Sequence, residues 1–120
     1  MIVFRRICIF VILSLLIFTS VWHYFKVKNA VFDLTNQIEA IEKNISEDKL
    51  DELIKSWSAY QKKLSCTFEH NYLDDITKSM YSLKALYFQK ADSIYSVLYE
   101  IKWSVSNMLE MQKINLGNLF

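Results

Sequence analysis

Residues 7–25 read ICIFVILSLLIFTSVWHYF, a run of 19 residues without a charged side chain. A helix of that length spans roughly 28 Å, close to the ~30 Å hydrocarbon core of a bilayer. Arg5 and Arg6 precede the run, and Trp22 and Lys26 close it in the aromatic-then-basic order of a membrane interface. The stretch therefore predicts a transmembrane helix, and the rest of the chain is expected to be tied to a membrane.

The same run indicates an anchor that stays attached to the chain. It is longer than the apolar core of a cleaved signal peptide, which also needs small residues just before the cut. Phe18 and Lys28 stand near the candidate cleavage points at Ser20 and Ala30, where small residues are required. We therefore expect an uncleaved signal anchor.

The charges around the run favour a single pass with the N-terminus in the cytoplasm. Two arginines and the α-amine on one side are nearly balanced by two lysines on the other. A tail of about six residues with two arginines is, however, a poor candidate for translocation. We expect residues 1–28 to form a cytoplasmic tail and transmembrane anchor, and residues 29–120 to form an extracytoplasmic domain at the cell membrane.

The composition predicts an all-α domain. The chain contains no proline and one glycine, Gly117, whereas sheets and long loops need turn residues at many places. Aromatic residues make up 15% of the chain, which supports a compact core and argues against disorder. Residues 29–120 carry 13 acidic residues against ten lysines, a net charge of about −3. A concentrated basic face is missing, so no nucleic-acid partner is expected.

Apolar residues after the anchor follow a heptad pattern. They recur at spacings of four and three, at Val27, Val31, Leu34, Ile38, Ile41 and Ile45. No helix breaker separates this seam from the anchor, so we expect one helix to continue from the membrane to about residue 45. The alternative is a separate amphipathic helix after a kink near Lys28–Asn29. The seam can pair two chains, but its short length favours packing within one chain.

Three further amphipathic helices are predicted. Each begins at a residue that can cap a helix N-terminus, namely Asn44 or Ser46, Asn71, and Asp92 or Ser93. The second helix is expected to end near Thr67 and the fourth near Lys113, before Gly117. Their apolar stripes are Leu50, Leu53, Trp57, Tyr60 and Leu64, then Ile76, Met80, Leu83 and Tyr87, then Ile94, Leu98, Ile101, Val105 and Met108. Short links favour a small antiparallel helical bundle behind the transmembrane helix.

Large aromatic residues are expected to anchor the core of this bundle. Trp57 and Trp103 are interpreted as core anchors rather than as platforms for a ligand. Phe120 ends an apolar tail that can fold back onto the helices, and it is assigned to the same role.

A polar cluster of Glu69, His70 and Asp74 stands between the second and third helices. If a helix ran through it, Cys66, His70 and Asp74 would share one face and could bind zinc or supply a nucleophile. Zinc usually takes four ligands, and one glycine makes an oxyanion cradle hard to build. We expect His70 to cap or bridge the helices through Glu69 or Asp74, with no catalytic residue, metal or cofactor. Cys66 and Cys8 are expected to be unpaired thiols, Cys66 as a buried small residue.

Residues spread along the chain carry a family resemblance. They are Trp57, Lys63-Leu64, Glu69-His70, Leu73-Asp74-x-Ile76 and the closing Ile114-Asn115-Leu116-x-Asn118-Leu119-Phe120. In this order the chain resembles the small bacterial membrane-anchored proteins grouped as domain of unknown function 4363, found largely in spore-forming Gram-positive bacteria. Gly117 and the unusually aromatic third helix depart from the family pattern. The resemblance implies an architecture and a membrane location, and it transfers no catalytic residue.

These features together favour a non-enzymatic, membrane-anchored interaction module of a bacterial envelope. Its expected partners are the lipid bilayer, through Ile7–Phe25, and a protein. Two alternatives stay open. One is a sensor-like bundle that binds a small ligand between helices, and the other is a thiol- or metal-dependent enzyme that uses Cys66, His70 and Asp74.

Overall fold

The computed structural model describes the backbone of residues 2–119 and the side chains of residues 2–114. The described residues form four helices and no strand: α1 (Ile2–Lys43), α2 (Glu47–Leu64), α3 (His70–Phe88) and α4 (Ile94–Leu119). The predicted fold class, an all-α chain with a long apolar N-terminal helix and a helical bundle behind it, is confirmed.

α1 is a single helix of 42 residues that passes from the apolar run into the heptad seam without a break. The prediction of one continuous helix is confirmed, and the alternative of two helices separated near Lys28–Asn29 is wrong. Before Ser20 the helix is exposed on all sides. The hydroxyls of Thr19 and Ser20 donate to the carbonyls of Leu15 and Leu16 at 2.8 and 2.9 Å, which satisfies them without water. By length and composition, α1 can cross a membrane.

From Val27 onward, one face of α1 packs into the bundle. α1 contacts α2 and α4, and α3 contacts the same two helices, so the four surround one core. The core consists of Val27, Val31, Leu34, Ile38 and Ile41 from α1, Leu50, Leu53, Trp57 and Leu64 from α2, Leu73, Ile76, Met80 and Leu83 from α3, and Ile94, Leu98, Ile101, Val105 and Met108 from α4. The part of α1 before Lys26, hereafter the apolar half of α1, projects beyond this core. The molecule is therefore elongated and measures 71 × 23 × 21 Å.

Side-chain pairs between α1 and α2 show that the two helices run antiparallel. Gln37 Nε2 donates to Ser56 Oγ at 3.0 Å, and Tyr60 Oη donates to Asp33 Oδ2 at 2.6 Å. Residues with higher numbers in α1 therefore lie beside residues with lower numbers in α2. The other links between helices are also short, so each helix runs in the direction opposite to the one before it. α2 and α4 therefore both end at the side of the bundle from which the apolar half of α1 projects.

The predicted cap of α2 is confirmed, α4 starts at the predicted position, and the predicted start of α3 is wrong. Ser46 is extended and its hydroxyl accepts the backbone N–H of Lys49 at 3.3 Å, so it caps α2. α4 begins directly after Ser93, as predicted. α3 starts earlier than expected, because Glu69 takes the extended backbone of the cap and its carbonyl accepts the first helical N–H. The cap predicted at Asn71 is therefore wrong.

Two predicted helix ends are also wrong. α2 ends at Leu64, because the backbone N–H of Thr67 donates to the Leu64 carbonyl at 3.0 Å and closes a tight turn there. α4 does not end near Lys113 but continues to Leu119. The helix passes through Gly117, whose cost of about 1 kcal/mol relative to alanine is too small to end a long helix by itself.

Candidate functional site

The predicted polar cluster of Glu69, His70 and Asp74 lies at the start of α3, near the end of the bundle that faces the apolar half of α1. All three side chains are exposed. Glu69 makes no side-chain capping bond, and in residues 2–114 no side-chain hydrogen bond joins members of the cluster. The bridge between helices that was expected of His70 is therefore not formed in the structure.

Cys66 lies in the turn between α2 and α3 and is exposed, so the expectation of a buried thiol is wrong. α2 ends at Leu64, so Cys66 lies outside the helical face that Leu64 contributes to the core. The helix stops at Leu64 and resumes at His70, so Cys66, His70 and Asp74 do not share one helical face. Among the described residues, no group of three or more histidine, cysteine, aspartate or glutamate side chains is placed to hold a metal ion.

The two tryptophans predicted to anchor the core occupy opposite environments. Trp57 is 1% exposed and lies in the core, whereas Trp103 is 61% exposed, so the prediction is wrong for Trp103. Position 103 falls midway between the buried residues Ile101 and Val105, about 200° around the helix from each, and therefore points away from the core. Phe120, the third expected anchor, lies outside the described residues.

Trp103 instead belongs to an exposed aromatic row on α4. Tyr95, Tyr99 and Trp103 follow one another at intervals of four residues and are all at least half exposed. Tyr99 and Trp103 line one wall of a groove of about 520 Å³ between α3 and α4, hereafter the aromatic groove. The other side chains that line it are Tyr72, Asp75, Ile76, Ser79, Glu100, Ile101 and Ser104. The four-residue spacing of the aromatic row was the sequence signal that could have indicated this surface.

Tyr72 holds the two walls of the aromatic groove together. Its hydroxyl donates to the backbone carbonyl of Ser104 at 2.5 Å, which joins α3 to α4. Its ring stacks on Phe68 with the ring centroids 6.4 Å apart. Burial raises the pKa of the Tyr72 hydroxyl above its ordinary value of 10.0. Tyr72 therefore belongs both to the lining of the groove and to the contact between α3 and α4.

The aromatic groove is acidic. Asp75 and Glu100 line it and are exposed, and among the described residues no lysine or arginine lines it. Lys102 follows Glu100 closely in sequence but points to the opposite side, where its Nζ lies 3.7 Å from Glu39 and 3.8 Å from Glu42 of α1. The carboxylates therefore remain unneutralised beside exposed aromatic rings, an arrangement that attracts cations.

Comparison with known proteins identifies a family for most of the chain. Residues 21–119 match the model of a family described as Domain of unknown function (DUF4363). The match covers residues 21–43 of α1 together with α2, α3 and α4. Neither the curated proteins nor the solved structures contain a significant match.

Proposed function

This chain belongs to the DUF4363 family, a domain of unknown function, and from that premise and its own structure we propose that it is a membrane-anchored helical interaction module. The anchor is the apolar half of α1, and the binding surface is the aromatic groove. In the proposal the module belongs to a bacterial envelope, with the N-terminus in the cytoplasm and the bundle outside. Its partner is a protein that presents a helix rich in lysine or arginine.

One observation carries the proposal: the two halves of α1 have different surroundings within a single helix. The first half is apolar and none of its residues from 2 to 19 is buried, whereas the second half supplies core residues such as Leu34 and Ile38. Apolar surface of this extent is unfavourable in water and favourable in hydrocarbon. Since the helix does not break, an inserted first half would hold the bundle close to the bilayer in one orientation.

The aromatic groove supports a basic helix as the partner. A lysine or arginine laid between its walls could stack on Tyr99 or Trp103 and pair with Asp75 or Glu100. Exposed tyrosine and tryptophan side chains are the residue types that most often dominate binding energy at interfaces. Anchoring adds a further advantage, because confinement to the membrane raises the effective concentration of the module near other membrane proteins.

The proposal assigns binding rather than catalysis to the chain. The enzymatic alternative needs Cys66, His70 and Asp74 to act together, and their separation on a turn and a helix start gives it no support. The small-ligand alternative draws support from the groove volume of about 520 Å³, which falls within the range of ligand pockets. The tests below distinguish it from a partner helix.

Anchoring is tested by placing charge in the exposed half of α1. Each arginine at the centre of a membrane helix costs about 2.5–3.5 kcal/mol, so Leu13→Arg combined with Leu16→Arg should move the chain from the carbonate-resistant membrane fraction to the soluble fraction. The matched control, Leu13→Ile with Leu16→Ile, should stay in the membrane. A doubly charged variant that also stays there would contradict anchoring by this segment.

Orientation is tested with the exposed thiol of Cys66. If the bundle lies outside, a membrane-impermeant maleimide added to intact protoplasts should label the wild-type chain. The control Cys66→Ser keeps Cys8, within the apolar half of α1, and should remain unlabelled. Labelling that appears only after the protoplasts are lysed would place the bundle in the cytoplasm.

The aromatic groove is tested with a defined probe, a fluorescein-labelled amphipathic helix of lysine and leucine. The full chain is held in phosphatidylcholine nanodiscs, and the dissociation constant is measured by anisotropy. Tyr99→Ala with Trp103→Ala should weaken binding roughly tenfold or more. The control Tyr81→Ala removes a tyrosine of α3 that is 60% exposed and lies outside the groove, and it should bind like wild type.

Three outcomes would contradict a basic helix as the occupant. The first is equal weakening by the control variant, and the second is equal binding of a glutamate–leucine helix. The third is loss of self-association by the groove variant in sedimentation, with no change in probe binding, which would assign the groove to a second copy. A small metabolite that stays bound to the purified wild-type chain but not to the groove variant would favour the ligand-binding alternative instead.

A further inference from the structure

A second cavity lies at the end of the bundle from which the apolar half of α1 projects. It has a volume of about 290 Å³ and lies between α1 and the C-terminal turn of α2. Its floor is apolar and includes the buried side chains of Val27 and Leu64. Its walls carry His23, Lys26, Asn29, Tyr60, Lys63 and Thr67. The cavity therefore combines an apolar base with basic and hydrogen-bonding walls.

The position of this cavity along α1 matches the headgroup layer of a membrane. The uncharged run ends at Phe25, and the cavity is lined from His23 to Ala30, a rise of about 10 Å along the helix. Lys26 Nζ lies 5.5 Å from the ring centroid of Trp22, an aromatic residue of the interfacial type. If the apolar half of α1 is inserted, the cavity opens among lipid headgroups.

The charges at the cavity are available for a ligand. Lys26 and Lys63 belong to no salt bridge within the described part of the chain. Two lysines on the sides of the bundle are paired, in contrast, since Lys84 Nζ lies 2.7 Å from Asp51 and Lys102 lies near two glutamates. Two lysines from different helices thus line a small space, and neither is paired with a carboxylate.

The acidic residue closest to this space along α1 is already engaged. Asp33 Oδ2 accepts the hydroxyl of Tyr60 at 2.6 Å, and its Oδ1 accepts Gln37 Nε2 at 3.3 Å. Neutral polar groups on Asn29 and Thr67 complete the walls. Two cations with amide and hydroxyl groups suit a phosphodiester, and the apolar floor suits the glycerol backbone attached to it.

We propose that this cavity binds the headgroup of an anionic glycerophospholipid, with its phosphate between Lys26 and Lys63. The site would hold the bundle down on the bilayer and fix its rotation, so that the aromatic groove faces a constant direction. The proposal rests on the membrane anchoring proposed above, because insertion of α1 is what brings the cavity to the lipid headgroups.

The test measures lipid retained by the full chain in neutral detergent. The chain is mixed with equal amounts of phosphatidylglycerol and phosphatidylcholine, and native mass spectrometry counts the bound lipids. Wild type should retain one phosphatidylglycerol in preference to phosphatidylcholine. Lys26→Gln with Lys63→Gln should lower the retained fraction about fivefold or more, while Lys26→Arg with Lys63→Arg should preserve most of it.

The matched control is Lys28→Gln with Lys62→Gln, which removes the same charge at the same end of the bundle from residues outside the cavity. It should retain lipid like wild type. Equal loss in both glutamine variants would overturn the site in favour of diffuse attraction to anionic lipid. Equal retention of phosphatidylcholine would show an apolar contact only, and displacement by excess inorganic phosphate would show a site for a free anion.

Failure of this site is distinguishable from failure of the anchor. The Lys26→Gln, Lys63→Gln variant should remain in the carbonate-resistant membrane fraction, because the apolar half of α1 is unchanged. Loss of wild type from that fraction would remove the proposed anchoring, whereas normal anchoring without selective lipid retention would remove the headgroup site alone.

Discussion

Along α1, aliphatic residues before Ser20 are exposed on every side of the helix, whereas those after Lys26 are buried on one side only. Leu13 and Leu16 are each more than half exposed, while Leu34 and Ile38 are at most 1% exposed. The side chains are of the same kind, and the difference lies in their spacing. A continuous apolar run surrounds the helix and suits lipid, whereas a heptad seam forms one stripe and suits a bundle.

The largest expected effect comes from removing the same side chain in each half. Ile38→Ala leaves a cavity in the core of the bundle and should lower the free energy of unfolding by about 2–5 kcal/mol. Ile9→Ala changes a residue that is 52% exposed and should leave the unfolding of the bundle unchanged. Urea unfolding of both full-length variants in neutral detergent, followed by tryptophan fluorescence, measures the difference. Similar losses in the two variants would mean that the halves are not independent.

Trp57 and Trp103 extend the contrast between buried and exposed faces to the rest of the bundle. Trp57 Nε1 donates to Thr77 Oγ1 at 2.9 Å, so Trp57→Phe loses this bond and leaves the half-buried Thr77 hydroxyl with one partner fewer. We expect a loss of about 1–3 kcal/mol. Trp103→Phe should change stability by less than about 0.5 kcal/mol, because the side chain is exposed. A large loss in Trp103→Phe would show that α4 packs differently from the structure described above.

The smallest expected effect concerns the hydrogen bond between Tyr60 of α2 and Asp33 of α1. The hydrogen bond to Asp33, with burial and the carboxylate charge, raises the pKa of Tyr60 from 10.0 to about 12. The folded state therefore holds the phenolic proton more tightly than the unfolded state. This contribution is complete below pH 10.0 and is lost as the pH rises toward about 12.

Comparison with Tyr60→Phe isolates this contribution from the titration of the lysines. The difference in urea midpoint between wild type and variant should shrink as the pH rises through this window. The effect should be modest, because Tyr60 is partly exposed and solvent weakens its interaction with Asp33. A difference that stays constant up to pH 12 would contradict the role of the hydrogen bond.

Local patterns accounted for most of the fold. The seam from Ile94 to Met108 became core, and so did the seam from Val27 to Ile45 except at Ile45, which lies past the end of α1 and is half-buried. A side chain's direction on a helix follows directly from its position in the sequence. Trp103 was misassigned by its size, although its place between Ile101 and Val105 marked it as an outward residue. The start of α3 was misplaced because the turn before it contains no strong breaker.

The candidate functional surfaces were harder to predict than the core. Glu69, His70 and Asp74 attracted attention by residue type, but the end of α2 at Leu64 separates them from Cys66 and leaves them exposed. The aromatic groove needs two helices, since Tyr72 comes from α3 and Trp103 from α4. A sequence pattern along one helix shows an exposed row, but it does not show which neighbouring helix forms the opposite wall.

Hydropathy and helical periodicity are properties of local sequence, and they were enough to predict the membrane-competent segment, the four helices and the faces that form the core. The acidic aromatic groove between α3 and α4, and the cavity that Lys26 and Lys63 line from two helices, became visible only in the packed bundle. Those juxtapositions depend on the register and order of packed helices, which arise from contacts between residues far apart in the chain.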